Sequence, residues 1–463
     1  MLTHFTITID EETWILANQP SLLWLLQGRF SVWLFDLIFT REGNFAPFLW
    51  DFLSVVCWHF SGVIFAYALL GKEKVKEWQM FFFTAYYASL PFVVGEILSF
   101  SMFNLQVCTA MVAVAFGFVS SVRFVEDKRK RDAGYAFLLL LYGFAVYQAL
   151  ICVYVTGVVA YCLLRFVKRE ERGLLRFIVT CAVLCAAAAA VYYGIDMIIW
   201  HFSGTAGYLE ENYIGWFSEN WKAMFAASVL NVGRVSFAIP YEGEYIYGGE
   251  VIRCVTVLFV IYALWLFFRR RGVKEKFGVL FLYHRSLYSA VYHLCDAGNL
   301  QDPRQDASGE FRFLGAVQLY LIFGALRRKT VKTAMIVFVS YLLFLNARNM
   351  NMIYYYGSIA YERDVTTASQ LMYDIGRAGM DYHAKPIAFV GMVQPDELPI
   401  QKSDTLGGSI FAWDEGNVSR MKDFLRTQGY AVTAASAEMI GRAAAEAESM
   451  TSLAPGGKYP GTG

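Results

Sequence analysis

The sequence predicts a mainly α protein, a polytopic transmembrane helical bundle of about ten spans with a small α/β domain at its C-terminus. Three observations carry that expectation. Hydrophobic residues occupy 57% of the 463 positions and charged residues 17%, against about a quarter charged in a typical soluble domain. Long stretches with almost no charge recur, each sufficient for a hydrocarbon core of about 30 Å. After residue 350 the pattern changes, and short apolar runs alternate with amphipathic ones. A net charge of +1 argues against a nucleic-acid partner, because a face for phosphates needs a basic excess.

Residues 1–46 are read as a first region outside the membrane. Residues 3–9 alternate polar and apolar positions and do not look like a span. An outside segment with no helix ahead of it leaves open a first transmembrane helix missing from this chain. Residues 21–39 are apolar but carry Gly28, Arg29 and Asp36. Leu22, Leu26, Trp33 and Leu37 recur at helical spacing while Arg29 and Asp36 share another face. That pattern predicts an amphipathic helix lying in the membrane interface; the alternative, a transmembrane helix, is opposed by its charges and by the topology count.

Residues 47–350 form the membrane domain, with spans expected at 47–70, 79–99, 102–121, 133–147, 149–167, 175–200, 249–268, 277–295, 311–326 and 333–350. The loops between them alternate in charge. Basic residues crowd one set: Lys72, Lys74 and Lys76; Arg123, Lys128, Arg129, Lys130 and Arg131; Arg165, Lys168, Arg169, Arg172 and Arg176. Arg269, Arg270, Arg271, Lys274 and Lys276 follow, then Arg327, Arg328, Lys329 and Lys332. The opposite loops hold only Arg29, Arg41, Lys222, Arg234 and Arg304. Lys and Arg mark the cytoplasmic side, so residues 1–46, 201–248, 296–310 and the C-terminus are expected outside. The 201–248 loop is dense in Trp and Tyr, which suits either an interfacial belt or the wall of a sugar or lipid site. All eight cysteines fall inside expected spans, so no disulfide framework is suggested.

Residues 351–463 are expected to form the extracytoplasmic α/β domain. A helical stretch at 358–379 leads to strands at 387–392, 409–413 and 431–434, interleaved with helices at 418–428 and 437–448. The end, from Pro455, is rich in Gly and Pro. No internal repeat is visible.

No phosphate-cradling or dinucleotide-type glycine loop occurs, and no His and carboxylate spacing identifies a metal site. What remains are polar groups on the outer side. Asp10, Glu11 and Glu12 are adjacent carboxylates whose repulsion raises at least one pKa toward a proton-abstracting range; a solvated acidic loop or helix start is the plainer reading of the residues alone. Arg29 follows Gly28, which permits close backbone approach. Its guanidinium can hold a lipid phosphate through a forked pair of hydrogen bonds, or simply snorkel to ordinary headgroups. His59, Glu96, Asp196, Arg253, His284, Arg285 and Arg348 are ionisable groups within spans, which are functional-site hypotheses by default.

These residues reach a recognisable pattern. The runs IDEETW at 9–14 and WLLQGRFSVWLFDLIF at 24–39 resemble the opening of the bacterial type II O-antigen glucosyltransferases, the Gtr type II family. LPFVVGE at 90–96, the Tyr147-Gln148 pair and NMIYYYGSIAYERDVTTASQLMYDI at 351–375 resemble it further, as do PIAFVGMVQP at 386–395 and GGSIFAWDEGNVSRMKDFLRTQGY at 407–430. The family's first helix, which precedes its acidic motif, has no counterpart ahead of Asp10. The resemblance implies a GT-C-like bundle in the bacterial cytoplasmic membrane that takes a hexose, glucose above all, from a polyprenyl-phosphate donor. It implies a surface glycan or lipid-linked glycan as acceptor on the extracytoplasmic side. Asp10 is implied as general base, with Glu12 in support of it or binding the acceptor or a metal. Arg29 is implied as the cation at the leaving phosphate, with Arg285 and Arg312 as further candidates, and Gly28, Glu96, Tyr147 and Gln148 as substrate-binding positions. A divalent cation is left open as a cofactor. A transporter or flippase for lipid-linked saccharides competes with this reading, since it too would carry polar groups in broken spans. A membrane anchor whose tail binds cell-wall partners is a third.

Overall fold

Backbone polar groups in a bilayer must be satisfied internally, and only helices and closed barrels achieve that. The computed structural model follows the helical route. It describes residues 5–17, 20–39, 45–70, 76–170, 172–203, 237–239, 247–269, 304–392, 408–413 and 416–448, with the side chains of 92–94, 96 and 304–312 left out of that description. In chain order the helices are α1 (Glu11–Trp14), α2 (Leu23–Leu26), α3 (Phe30–Phe39), α4 (Pro47–Leu70), α5 (Glu77–Ser89), α6 (Pro91–Ser99), α7 (Asn104–Asp127) and α8 (Lys130–Val146). There follow α9 (Leu150–Val167), α10 (Leu174–Ser203), α11 (Gly249–Arg269), α12 (Arg304–Ala325), α13 (Lys329–Arg377), α14 (Val418–Thr427) and α15 (Ala437–Glu448). The chain divides into two compact units, one of residues 1–5 and 18–354 and one of residues 6–17 and 355–463.

Among the described residues six helices are long and apolar enough to cross a membrane: α4, α7, α9, α10, α11 and α13. The expected span at 79–99 is two helices, because Pro91 opens α6 and holds Leu90 extended at φ −69° and ψ 110°. The segment expected at 133–147 is the 17-residue α8. The one at 311–326 is the C-terminal part of α12. The expected span at 277–295 and most of the 201–248 loop lie outside the described residues.

Helix α7 packs against α4 and α8, and α12 against α5 and α9. At their centre Phe65 meets Phe313 edge-on with centroids 4.8 Å apart and lies 5.9 Å from Phe118. Small residues permit this closeness: a Cβ on Gly62 would stand 2.6 Å from the Tyr87 ring. Polar groups buried in a dry interior need hydrogen-bond partners, and a cluster on α4 and α7 supplies them. Ser101 and Asn104 donate to Asp51 at 2.9 and 2.7 Å, and Ser54 donates to Asn104 at 2.9 Å. Val179, Val183, Ile198 and Phe202 on α10 are exposed, the apolar outer surface a lipid-facing helix needs.

The expected interfacial helix at 21–39 is split into α2 and α3. Its polarity also runs opposite to that of a helix floating on a bilayer: Asp36 has no exposed surface, whereas Leu22, Leu34 and Ile38 are more than half exposed. The charged face turns inward and the leucines outward.

The second unit contains α1, the C-terminal part of α13, α14 and α15. The break expected between residues 350 and 358 is absent, and α13 continues for 49 residues, about 74 Å at 1.5 Å per residue. Of the expected strands, residues 387–392 and 431–434 share only an isolated parallel bridge, Ile387 to Ala434. Residues 409–413 form a turn, since the amides of Ala412 and Trp413 both bond the Ser409 carbonyl. Its remaining donors go to a side chain. Ser409 Oγ and the Ile410 amide both donate to Asp364 on α13, the latter at 2.8 Å. Asp364, C-terminal to the apolar stretch of that helix, is buried, and burial pushes its carboxyl up to about 6 despite these two bonds. No strand is formed among the described residues, so the α/β character expected of the tail is corrected to helical with irregular connections.

Candidate active site

The sequence brings Gly28 and Arg29 together, and the fold explains why. The amide of Arg29 bonds the Trp24 carbonyl at 2.7 Å and the amide of Gly28 bonds that of Leu25 at 3.1 Å. This is a Schellman ending of α2, which puts Gly28 at φ +70°. A side chain there would be strained and would also strike Tyr192 and Asp196, whose Oδ2 lies 2.8 Å from the position of a Cβ. Arg29 then starts α3, its carbonyl accepting from Val32 at 2.9 Å.

Three rings frame the Arg29 guanidinium: Phe103 at 5.1 Å, Tyr147 at 5.4 Å and Trp24 at 5.5 Å, measured to the centroids. All are within reach of cation–π attraction. Trp24 stacks on Phe103 at 5.1 Å, and its indole N–H donates to Asp36 at 3.1 Å. Gln106 donates to the other oxygen of Asp36 at 2.7 Å. Gln148 donates to Tyr192 Oη at 2.8 Å and to the Gln27 carbonyl at 3.1 Å. The Nε of Arg29 is buried with no hydrogen-bond partner. A cation so placed, at the start of a ten-residue helix, favours an anionic ligand.

The acidic residues belong to the second unit. Asp10 caps the single turn α1 in the left-handed region, at φ 74°. Glu11 accepts from the Thr8 amide at 2.8 Å. Arg420 Nη1, from the first turn of α14, reaches Asp10 Oδ1 at 2.8 Å and Glu12 Oε1 at 2.9 Å. The two carboxylates differ in access: the Asp10 side chain is 54% exposed and that of Glu12 is 1% exposed. Burial pushes the Glu12 carboxyl up, opposed by a backbone hydrogen bond and by Arg420, with a smaller upward push from Asp10. Repulsion between neighbouring acids, the cause expected from sequence, is therefore secondary to burial. Thr13 also donates to Asp423 of α14 at 3.4 Å.

Of the residues singled out from sequence, the fold joins Gly28, Arg29, Tyr147 and Gln148 in one cluster and Asp10 and Glu12 in another. Glu96 lies on α6 and Arg312 on α12, with side chains outside the description, and Arg285 lies outside the described residues. Sequence reasoning missed Trp24, Phe103, Tyr192 and Arg420, and noted Asp196 without tying it to Gly28. Among the described residues no group of three His, Cys, Asp or Glu side chains is arranged to hold a metal ion.

The helices and these two clusters define a multi-pass membrane protein with a guanidinium framed by three rings and a paired acid. Residues 1–298 match the family model described as Glucosyl transferase GtrII, and the chain belongs to that family. It is accordingly a membrane glycosyltransferase rather than a transporter. No curated protein and no solved structure matches the chain.

Proposed function

We propose that this glycosyltransferase moves a hexose, in the first place glucose, from a polyprenyl-phosphate donor to a surface or lipid-linked glycan. The observation that carries the donor class is the setting of Arg29. Its Nε is buried without a hydrogen-bond partner, and the helices on either side of it, α2 and α3, carry the exposed leucines Leu23 and Leu34. A phosphate attached to a long apolar chain meets both requirements at once, which a soluble nucleotide sugar does not.

In this reading Asp10 is the general base. It takes the proton from the acceptor hydroxyl as that oxygen bonds the anomeric carbon, while the bond from that carbon to the phosphate oxygen breaks. The departing phosphate monoester keeps the bonding electrons, and Arg29 stabilises the added charge. The exposure of Asp10 against the burial of Glu12 supports giving the proton transfer to Asp10. Gly28, Tyr147 and Gln148 shape the Arg29 site; Glu96, Arg285 and Arg312 remain donor- or acceptor-binding candidates from the resemblance.

We place the reaction on the extracytoplasmic face of a bacterial cytoplasmic membrane, within a GT-C-like bundle of about ten spans. The charge bias of the loops supports that orientation. The packing of residues 6–17 with residues 355–463 in one unit supports assigning the N-terminal acids and the C-terminal region to the same side. The test is the donor: membranes carrying the protein are given labelled glucose as polyprenyl-phosphate glucose or as a nucleotide sugar. Transfer from the lipid donor alone upholds the reading, and transfer from the nucleotide sugar alone, in membranes free of polyprenyl phosphate, overturns it.

A further inference from the structure

Arg420 lies beyond the residues that the family match covers, and its position is unusual on general grounds. The first turn of a helix carries partial positive charge and favours acidic side chains. Arg420 nevertheless sits in the first turn of α14, where Asn417 caps the helix by accepting from the amides of Ser419 at 2.9 Å and Arg420 at 3.4 Å. The cap fixes the backbone from which the guanidinium projects. What offsets the unfavourable placement is a pair of carboxylates on one nitrogen, Asp10 at 2.8 Å and Glu12 at 2.9 Å.

The two contacts are not equivalent. Glu12 is the buried end and Asp10 the exposed end, with Arg420 between them at 19% exposure. A buried ion pair is in itself weak support for stability. A guanidinium anchored on one carboxylate and gripping a second that faces solvent does something else: it removes rotational freedom from the exposed one. Asp10 also holds a left-handed backbone, φ 74°, a strained state that persists where surrounding contacts determine it. We propose that Arg420 is a positioning residue for sugar transfer, anchored by Glu12 and holding the Asp10 carboxylate in register for the acceptor hydroxyl. The inference rests on Asp10 being the base, and it makes the C-terminal region part of the catalytic machinery.

The other charged groups on the two packed helices are Glu11, which accepts from Thr8, and Lys422, Asp423 and Arg426. Lys422 and Arg426 both pair with Asp423, at 3.2 and 3.5 Å. Arg420 is thus the cation that meets Asp10 among the ion pairs of the described residues.

The experiment uses the full chain in membranes, with polyprenyl-phosphate glucose as donor and kcat and donor KM as readouts for Arg420→Ala, Arg420→Lys, Glu12→Gln and Asp10→Asn. Arg420→Ala and Glu12→Gln are expected to lower kcat roughly 10- to 100-fold, with donor KM little changed. Arg420→Lys recovers part of the rate. Arg420→Lys carries the test if the alanine variant fails to fold. Wild-type kcat in the Arg420 variants, or a lower rate that lysine does not recover, overturns the inference while an inactive Asp10→Asn leaves the base assignment standing. Wild-type transfer by Asp10→Asn overturns both.

Discussion

Asp36 and Gln106, seventy positions apart, meet at 2.7 Å in the interior of the membrane unit, and Asp36 has no exposed surface. The contact fixes which face of α3 turns inward, and so where the residues preceding it, Gly28 and Arg29, are held. Trp24 completes the arrangement by donating to the same carboxylate while its ring borders Arg29.

Asp36→Ala removes the acceptor of the Trp24 indole N–H and one of the two acceptors of Gln106 Nε2, which keeps the Met102 carbonyl at 3.2 Å, at a cost of about 1–3 kcal/mol. Asp36→Asn keeps one acceptor and should cost less. Thermal unfolding of the detergent-solubilised protein measures the order, and equal stability of the alanine variant and the wild type would contradict the role given to this carboxylate.

Gly28→Ala adds a methyl group against Tyr192 and Asp196 in a backbone state that L side chains rarely adopt. Destabilisation of about 1–3 kcal/mol is expected, with loss of transfer. Tyr192→Phe in the same chain removes the oxygen that the methyl group strikes and should restore part of the loss. Gly134→Ala, inside α8 where a Cβ meets nothing within 4 Å, is the contrast in the same measurement and should be stabilising by up to about 1 kcal/mol.

Arg29→Lys is not a conservative change at a site framed by three rings and meant for a phosphate. A lysine offers a hydrated point charge without the planar fork, so kcat/KM for the lipid donor should fall roughly 10- to 100-fold. Arg29→Ala should fall further. Unchanged kcat/KM in both variants would remove the phosphate from this site.

Much of the helical framework was legible because apolar length and Pro91 are local signals. The pairing of Gly28 with Arg29 was legible too, since a glycine before a lone charge in an apolar run stands out. Trp24, Phe103 and Tyr192 did not stand out: an aromatic residue in a membrane stretch reads equally well as facing lipid. The continuity of α13 was obscured by composition, although the only residue between 350 and 358 that could interrupt a helix is Gly357. The strand expected at 409–413 failed because its backbone donors are consumed by a turn and by Asp364. Arg420 stands inside the 407–430 run, but nothing local marks its role, as its contact with Glu12 spans 408 positions.

The Asp364 carboxyl gives the C-terminal unit a pH dependence of definite sign. Its folded value, about 6, lies above the usual 3.8, so the protonated form is favoured by folding. The stabilisation is fully present below about pH 4 and is lost as pH rises through 6, by up to about 3 kcal/mol. Pulse proteolysis of the tail within the full chain should show stability falling over that interval. Asp364→Asn should flatten the fall, leaving the part due to Glu12, whose carboxyl is also pushed up. A fall of undiminished size in Asp364→Asn would assign the dependence elsewhere.

The most direct test of the account is the rate of glucose transfer by Asp10→Asn at matched protein amount, with saturating polyprenyl-phosphate glucose. Asparagine keeps the size of the side chain and removes the base, so kcat should fall roughly 10²- to 10⁴-fold while donor KM stays near that of the wild type. Transfer at the wild-type rate would contradict the assignment of the base, and with it the central role given to the acid pair.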